Sequence, residues 1–286
     1  MVEFVKSHGL GNDYIVFDKT QINFPLTEKN IRLICDRNRG VGSDGILVLE
    51  KINNQEFKVR IFNPDGSEAE KSGNGIRILA KYIYDYKYTT EKEFFIYTLG
   101  GKVKASVIEE QNGRAKTIEV EMGKVTFRSS EIPVAGPERE VIDEELKING
   151  EILKITCLSI GNPHCVFFVD EIDEEKIKSL GPKIENNPIF PNRINVQMVK
   201  VLDSNKIEIR IWERGAGYTL ASGSSSCAAA SAAYRKGLVN NQVEVIMPGG
   251  TLHIRINPDW SVNLIGPVEE VFKGELSEEM LYKLKD

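Results

Sequence analysis

Hydrophobic and polar positions along this chain alternate mostly with the period of strands, and only a few stretches carry helical spacing. VEFVKSHG and YIVFD read as strands joined by Gly9-Leu10-Gly11-Asn12-Asp13, for which a plain hairpin turn is the economical reading. Thr27 then caps a helix over EKNIRLICDRN, closed by the glycine-rich loop from Arg39 to Gly45. Strands ILVLEK and FKVRIFN follow, the second ended by Asn63-Pro64-Asp65-Gly66, a strong turn signal. Beyond it Ile76, Leu79, Ala80 and Ile83 recur at helical spacing, so Ser72-Gly73-Asn74 marks a helix entry. EFFIYTLGG, KVKASVIEE and TIEVEMG are turn-linked strands with no helix between them. That series predicts an antiparallel sheet and not a doubly wound parallel one.

The second half repeats this order. EILKITCLS leads through Ile160-Gly161-Asn162-Pro163-His164 into CVFFVD, and a helix over EEKIKSLGPKIEN precedes the strands VQMVKVLD and KIEIRIWERG. Next comes WERGAGYTLASGSSSCAAASAAYRKG, whose first half is loop chemistry and whose second half is alanine-rich, as suits a helix buried against sheet. Its serines sit at a helix N-terminus, where unpaired N–H groups and the positive dipole end attract an anion. Ser72-Gly73 and Ser222-Gly223 each open a helix, and 222 − 72 = 150 is about half the 286 residues. Two similar halves are therefore expected. The irregular chain from Gly123 to Val141 marks the crossing between them. The last strand, within SVNLIGPVEEVFKGELS, is expected to return to the first half. The expected domains are residues 1–122 plus 266–286, and residues 123–265.

Composition narrows the class. Hydrophobic residues at 41% and charged residues at 28% are ordinary for a globular chain with a real core. A net charge of −5, with no basic run longer than two residues, excludes a nucleic-acid or anionic-membrane footprint. No apolar run approaches the ~20 residues of a membrane helix, and the first residues lack the pattern of a secretory signal. Cys35, Cys157, Cys165 and Cys227 are scattered, and His8, His164 and His253 have no metal-ligand spacing, so neither a disulfide scaffold nor a metal site is expected. A cytoplasmic protein follows. Taken singly, Ser72 and Ser222 are ordinary N-caps and Glu213 a strand-end charge beside Arg214.

Seven ordered blocks change that reading: His8 to Tyr14, Gly40 to Gly45, Phe62-Asn63-x-Asp65-Gly66-Ser67-Glu68, Gly73 to Arg77, Gly161 to His164, Arg193 to Val196, and Trp212 to Gly215. Together they make the chain, over essentially its whole length, resemble the diaminopimelate epimerase family. The resemblance implies an α/β chain of the α+β kind, with two pseudo-symmetric domains, each a curved, mostly antiparallel sheet around a central helix. The active site would lie in the cleft between the domains. It implies an isomerase that interconverts LL- and meso-diaminopimelate for lysine and peptidoglycan precursors, with no cofactor and no metal. The implied partner is this small amino acid, with no nucleic acid and no membrane, and a homodimer is an open expectation. Implied substrate-binding positions are Asn12, Asn63, Gly73, Asn74, Asn162, Asn195, Glu213, Arg214, Gly223 and Ser224. His164 and Glu213 fit the positions beside the catalytic pair.

The pair itself departs from the family. Its two cysteines, one per domain and each followed by glycine at a helix N-terminus, match Ser72 and Ser222 here. None of the four cysteines can substitute, Cys227 lying five residues into the helix. Ser224 stands where the family usually has threonine, which keeps the hydroxyl. A thiol has a pKa near 8.5 and is readily made a thiolate at a helix N-terminus, whereas a serine hydroxyl needs a dedicated base. The expectation is an epimerase framework with little or no turnover. The alternatives are a relative acting on another amino acid, with His164 and Glu213 activating a serine, and an amino-acid-binding protein without chemistry.

Overall fold

The computed structural model describes residues 1–148 and 150–285. They form two compact units, Met1–Val120 with Gly266–Asp286, and Glu121–Ile265. The first unit runs β1 (Glu3–Gly9), β2 (Asn12–Asp18), α1 (Glu28–Cys35), β3 (Ile46–Lys51), β4 (Glu56–Phe62), β5 (Glu68–Ala69), α2 (Gly73–Asp85), β6 (Glu93–Thr98), β7 (Gly101–Gln111) and β8 (Arg114–Lys124). The second runs β9 (Glu144–Ile148), β10 (Glu151–Ser159), β11 (Pro163–Phe168), α3 (Glu174–Glu185), β12 (Asn195–Asp203), β13 (Lys206–Glu213), β14 (Gly217–Thr219), α4 (Gly223–Arg235), β15 (Gln242–Met247), β16 (Gly250–Ile256) and β17 (Ser261–Pro267). The chain then returns to the first unit as β18 (Glu269–Glu275), antiparallel to β1, and α5 (Glu278–Lys285).

The two units share one pairing plan. In the first, β1–β2, β3–β4 and β6–β7 are antiparallel, while β2–β3 and β4–β6 are parallel. In the second, β10–β11, β12–β13 and β15–β16 are antiparallel, while β11–β12 and β13–β15 are parallel. The register repeats as well. Ile15 faces Ile46 and Cys165 faces Val196, with 165 − 15 = 196 − 46 = 150. The bounds of α2 and α4 obey the same spacing, 223 − 73 = 235 − 85 = 150. The antiparallel reading holds for β6 to β8, but the pairs β2–β3, β4–β6, β11–β12 and β13–β15 are parallel because α1, α2, α3 and α4 each serve as a crossover between their flanking strands.

Local chemistry sets the element ends. Thr27 caps α1 by accepting from the Asn30 N–H, as its position before the helix predicts. The helix stops at Cys35, three residues before the expected end. Asp36 turns extended there, and its carboxylate accepts from the Asn38 and Arg39 N–H groups at 2.8 Å each, a local turn that replaces the helical ladder. The loop before β2 is the plain hairpin: Gly9 pairs with Asn12, and Leu10 and Gly11 take φ of 55° and 86°.

The core explains which face of each sheet carries chemistry. In β2, Ile15 and Phe17 pack with Ile31 and Ile34 of α1. In β11, Cys165 and Phe167 pack with Ile177, Leu180 and Ile184 of α3. Side chains alternate across a strand, so Tyr14 and His164 point to the opposite face, where α2 and α4 lie. Those two helices are sheathed by strands. α2 packs on β1, β2, β3 and β7, and α4 on β10 to β13, β15 and β16. Cys227, Ala228, Ala229, Ala230, Ala232 and Ala233 are fully buried on every side of α4, which is why small residues fill it.

Candidate active site

In the first unit, Ser72 is the N-cap of α2. Its extended backbone (φ −139°) turns Oγ back to accept from the Gly75 N–H at 3.0 Å. The N–H groups of Gly73 and Asn74 lie in the first turn, where no helical carbonyl can reach them. The Tyr14 phenol meets Ser72 Oγ at 3.2 Å. Two residues earlier on the same face of β2, Asn12 accepts through Oδ1 from Asn74 Nδ2 at 3.1 Å. Asn63 follows β4 and is held in its own turn, donating to Ser67 Oγ at 2.9 Å.

In the second unit, Ser222 is buried and caps α4 in the same way, accepting from the Ser225 N–H at 3.5 Å. Glu213, at the end of β13, stands beside the Ser222 side chain. Burial raises its carboxyl above the usual range, and the nearby Ser222 hydroxyl acts against that rise. His164 is completely buried, with Nε2 3.0 Å from Asn162 Oδ1, and burial holds its pKa down at about 3. It is therefore a neutral imidazole at neutral pH. Asn162 Nδ2 donates to Ser224 Oγ at 3.4 Å. Asn195 accepts from the Arg214 N–H at 2.9 Å, and the exposed Arg214 guanidinium donates to the Asn192 carbonyl at 3.0 Å.

The constant spacing makes these two clusters counterparts. Tyr14 corresponds to His164, Asn12 to Asn162, Asn63 to Glu213 and Asn74 to Ser224, since 164 − 14 = 162 − 12 = 213 − 63 = 224 − 74 = 150. The Asn74–Asn12 and Asn162–Ser224 bonds are thus one contact built twice. The electrostatics differ. At the turn below Ser72, Arg77 is fully buried and donates to Asn74 Oδ1 at 2.9 Å, while its counterpart in α4 is Cys227. The second unit instead supplies a carboxyl, Glu213, where the first has the neutral Asn63.

Of the sequence candidates, the structure brings Ser72, Gly73, Asn74 and Asn12 into one contact set. It brings Ser222, Gly223 and Glu213 into a second, His164, Asn162 and Ser224 into a third, and Asn195 and Arg214 into a fourth. Two residues that matter were not singled out from sequence. Tyr14 could have been found, because strand alternation from Asn12 puts it on the same face. Glu185 could not, since nothing in the sequence sets it apart from the other charged residues of α3. It is buried and accepts from Trp212 Nε1 at 2.7 Å, the Gly215 N–H at 2.9 Å and Arg193 at 3.0 Å, which fixes the loop carrying Glu213 and Arg214. Among the described residues, no cluster of three His, Cys, Asp or Glu side chains could hold a metal ion, and no helix is long and apolar enough to cross a membrane. What the arrangement offers is two hydroxyls at helix N-termini, each beside a second protonatable group, with first-turn N–H groups suited to a carboxylate.

The chain is similar to known proteins over nearly its whole length. The family model described as diaminopimelate epimerase matches residues 4–128 and 156–271. Diaminopimelate epimerase 2 of Nostoc sp. (strain PCC 7120) is 49% identical over 280 residues, covering 98% of this chain and 97% of that protein. The diaminopimelate epimerase of Moorella thermoacetica is 40% identical over 276 residues, covering 96% and 99%. Among solved structures, a probable proline racemase from Agrobacterium radiobacter superposes with a TM-score of 0.70 at 12% identity, covering 97% of this chain and 93% of that one. A predicted epimerase from Pseudomonas aeruginosa superposes with a TM-score of 0.64 at 16% identity, covering 96% and 99%.

Proposed function

This chain belongs to the diaminopimelate epimerase family, a family of isomerases, and on that premise we propose that it binds diaminopimelate with Ser72 and Ser222 in the two proton-transfer positions. The observation that carries this reading is the repeated helix entry. Each serine caps the helix at the heart of its unit, 150 residues from its counterpart, and each hydroxyl touches a second protonatable group, Tyr14 or Glu213.

Epimerisation in this arrangement needs one group to take the α-proton and another to return a proton to the opposite face. The first-turn N–H groups at Gly73-Asn74 in the first unit, and those at Gly223-Ser224 in the second, each suit a substrate carboxylate, and Glu213 would receive an ammonium group. Arg214, Asn63, Asn162 and Asn195 would meet the distal amino-acid end. A hydroxyl is a far weaker acid than a thiol, and one misfitted acid or base costs roughly 10²–10⁴ in rate. We therefore infer that this chain binds its substrate with little or no turnover. The four cysteines, all buried free thiols, suit a cytoplasmic site of action.

Calorimetric titration tests the substrate assignment. Diaminopimelate should bind, and lysine, which lacks the second carboxylate, should bind at least about tenfold more weakly because a charge-assisted bond is lost. Equal affinity for the two, or no affinity for diaminopimelate, contradicts the reading.

A further inference from the structure

We propose that Asp44 and Arg77 are positioning residues that fix the sense of the Asn12 and Asn74 carboxamides, so that this half-site presents N–H donors to a substrate carboxylate. The proposal rests on the epimerase reading for its substrate. Its geometry stands within the first unit alone.

A carboxamide can point either way, and only its partners decide which end is which. Asp44 Oδ2 accepts from Asn12 Nδ2 at 3.1 Å, and Asp44 Oδ1 accepts from Arg37 at 2.8 Å. A carboxylate can only accept, so Asn12 must give it the NH₂ end. Asn12 Oδ1 is then the atom that accepts from Asn74 Nδ2 at 3.1 Å. Asn74 Oδ1 in turn accepts from Arg77 Nη2 at 2.9 Å, and a guanidinium can only donate. The chain of bonds is thus closed by a pure acceptor at one end and a pure donor at the other. Flipping either asparagine would set acceptor against acceptor or donor against donor at both of its contacts. Such charge-terminated chains are stronger than their neutral equivalents.

The space for this clamp is built in. Arg77 is fully buried, and a side chain at Gly9 would bring Cβ to 3.0 Å from Arg77 Nη2, so glycine leaves the guanidinium its place. Once the clamp is set, each carboxamide has one N–H not used by it, and both carbonyl oxygens are engaged. That suits an anionic carboxylate and disfavours an ammonium or a substrate N–H. The second unit has the corresponding contact without the clamp. Asn162 there meets the Ser224 hydroxyl and the neutral His164 imidazole nitrogen, each of which can donate or accept, and the counterparts of Asp44 and Arg77 are Ile194 and Cys227, with 194 − 44 = 227 − 77 = 150. Sense is imposed in one half only.

Asp44→Asn is the discriminating change, because it keeps the shape and lets that position either donate or accept. Asp44→Glu keeps a pure acceptor. Meso-diaminopimelate should bind Asp44→Asn about tenfold or more weakly than the parent, in line with a lost charge-assisted bond, with affinity recovered at least in part by Asp44→Glu. In the ligand-free Asp44→Asn chain the side-chain NH₂ resonances of Asn74 should also shift, although Asp44 does not touch Asn74. Parent-like affinity in Asp44→Asn, or unmoved Asn74 resonances, overturns the proposal. The unmodified chain gives a separate reading. Asn12 and Asn74 should each show one side-chain N–H more protected than the other, and equal exchange of both protons refutes the clamp. Should the parent bind no diaminopimelate, the epimerase reading fails, while the amide exchange still decides the clamp.

Discussion

Replacing His164 by glutamine isolates the cost of burying an imidazole beside the proposed site. His164 is completely buried, and its pKa lies at about 3 in the folded chain against an ordinary 6.5. Between those values the unfolded chain takes up a proton that the folded chain refuses. Stability from this residue is therefore fully present above pH 6.5 and is lost as pH falls toward 3. The loss runs at about 1.4 kcal/mol per pH unit, so a descent from about pH 7.5 to about pH 4.5 removes roughly 3 kcal/mol. Other groups titrate over the same range, but they do so in both proteins. Urea unfolding of the parent and of His164→Gln at the two pH values gives the difference directly. The parent should lose roughly 3 kcal/mol more than the variant. Parallel pH dependence would mean that His164 is not held neutral, and would return it to consideration as a charged proton donor.

Glu213 has the opposite sign. Its folded pKa is raised, so the stability it contributes is full below the usual carboxylate range and is lost as pH rises through the folded value. Glu213→Gln should accordingly gain stability relative to the parent on going from about pH 4 to pH 8, read by thermal melts. Gly181→Ala would set a Cβ 2.4 Å from Trp212 Cγ. Overpacking of this kind costs about 1–3 kcal/mol, so the melting temperature should fall, and diaminopimelate binding should weaken because Trp212 directly precedes Glu213 at the end of β13 and Arg214 just beyond it. Arg214→Lys should bind diaminopimelate about tenfold more weakly, since lysine cannot grip a carboxylate with two parallel bonds. Its melting temperature should stay that of the parent, the Arg214 guanidinium being exposed.

Much of this architecture is written in local pattern. Alternation over Glu56–Phe62 and helical spacing from Ile76 to Ile83 need only a few neighbours to be read, and the cap residues Thr27, Ser72 and Ser222 stand where helix entries require them. The spacing between Ser72 and Ser222 is equally visible, and it extends through the register of β2–β3 and β11–β12. Partner choice is another matter. Parallel pairing of β4 with β6 depends on α2 folding between them, which periodicity does not encode. The strands Glu68–Ala69 and Gly217–Thr219 are too short to show a period. Within the site, residue types at helix entries were legible, whereas Asp44 on Asn12 and Glu185 on Trp212 join side chains 32 and 27 residues apart. Such contacts exist only once the sheets have formed.

The central claim is that two hydroxyls occupy positions built for proton transfer at the α-carbon. Deuterium incorporation at that carbon in D₂O, followed by mass spectrometry of diaminopimelate, tests it most directly. The parent should exchange slowly. Ser72→Cys with Ser222→Cys should accelerate exchange by roughly 10²–10⁴, the span that one well-matched acid or base contributes. Either change alone should fall well short of the pair, because each face of the carbon needs its own group. A doubly changed chain that folds, binds diaminopimelate and incorporates no more deuterium than the parent would contradict the assignment of Ser72 and Ser222.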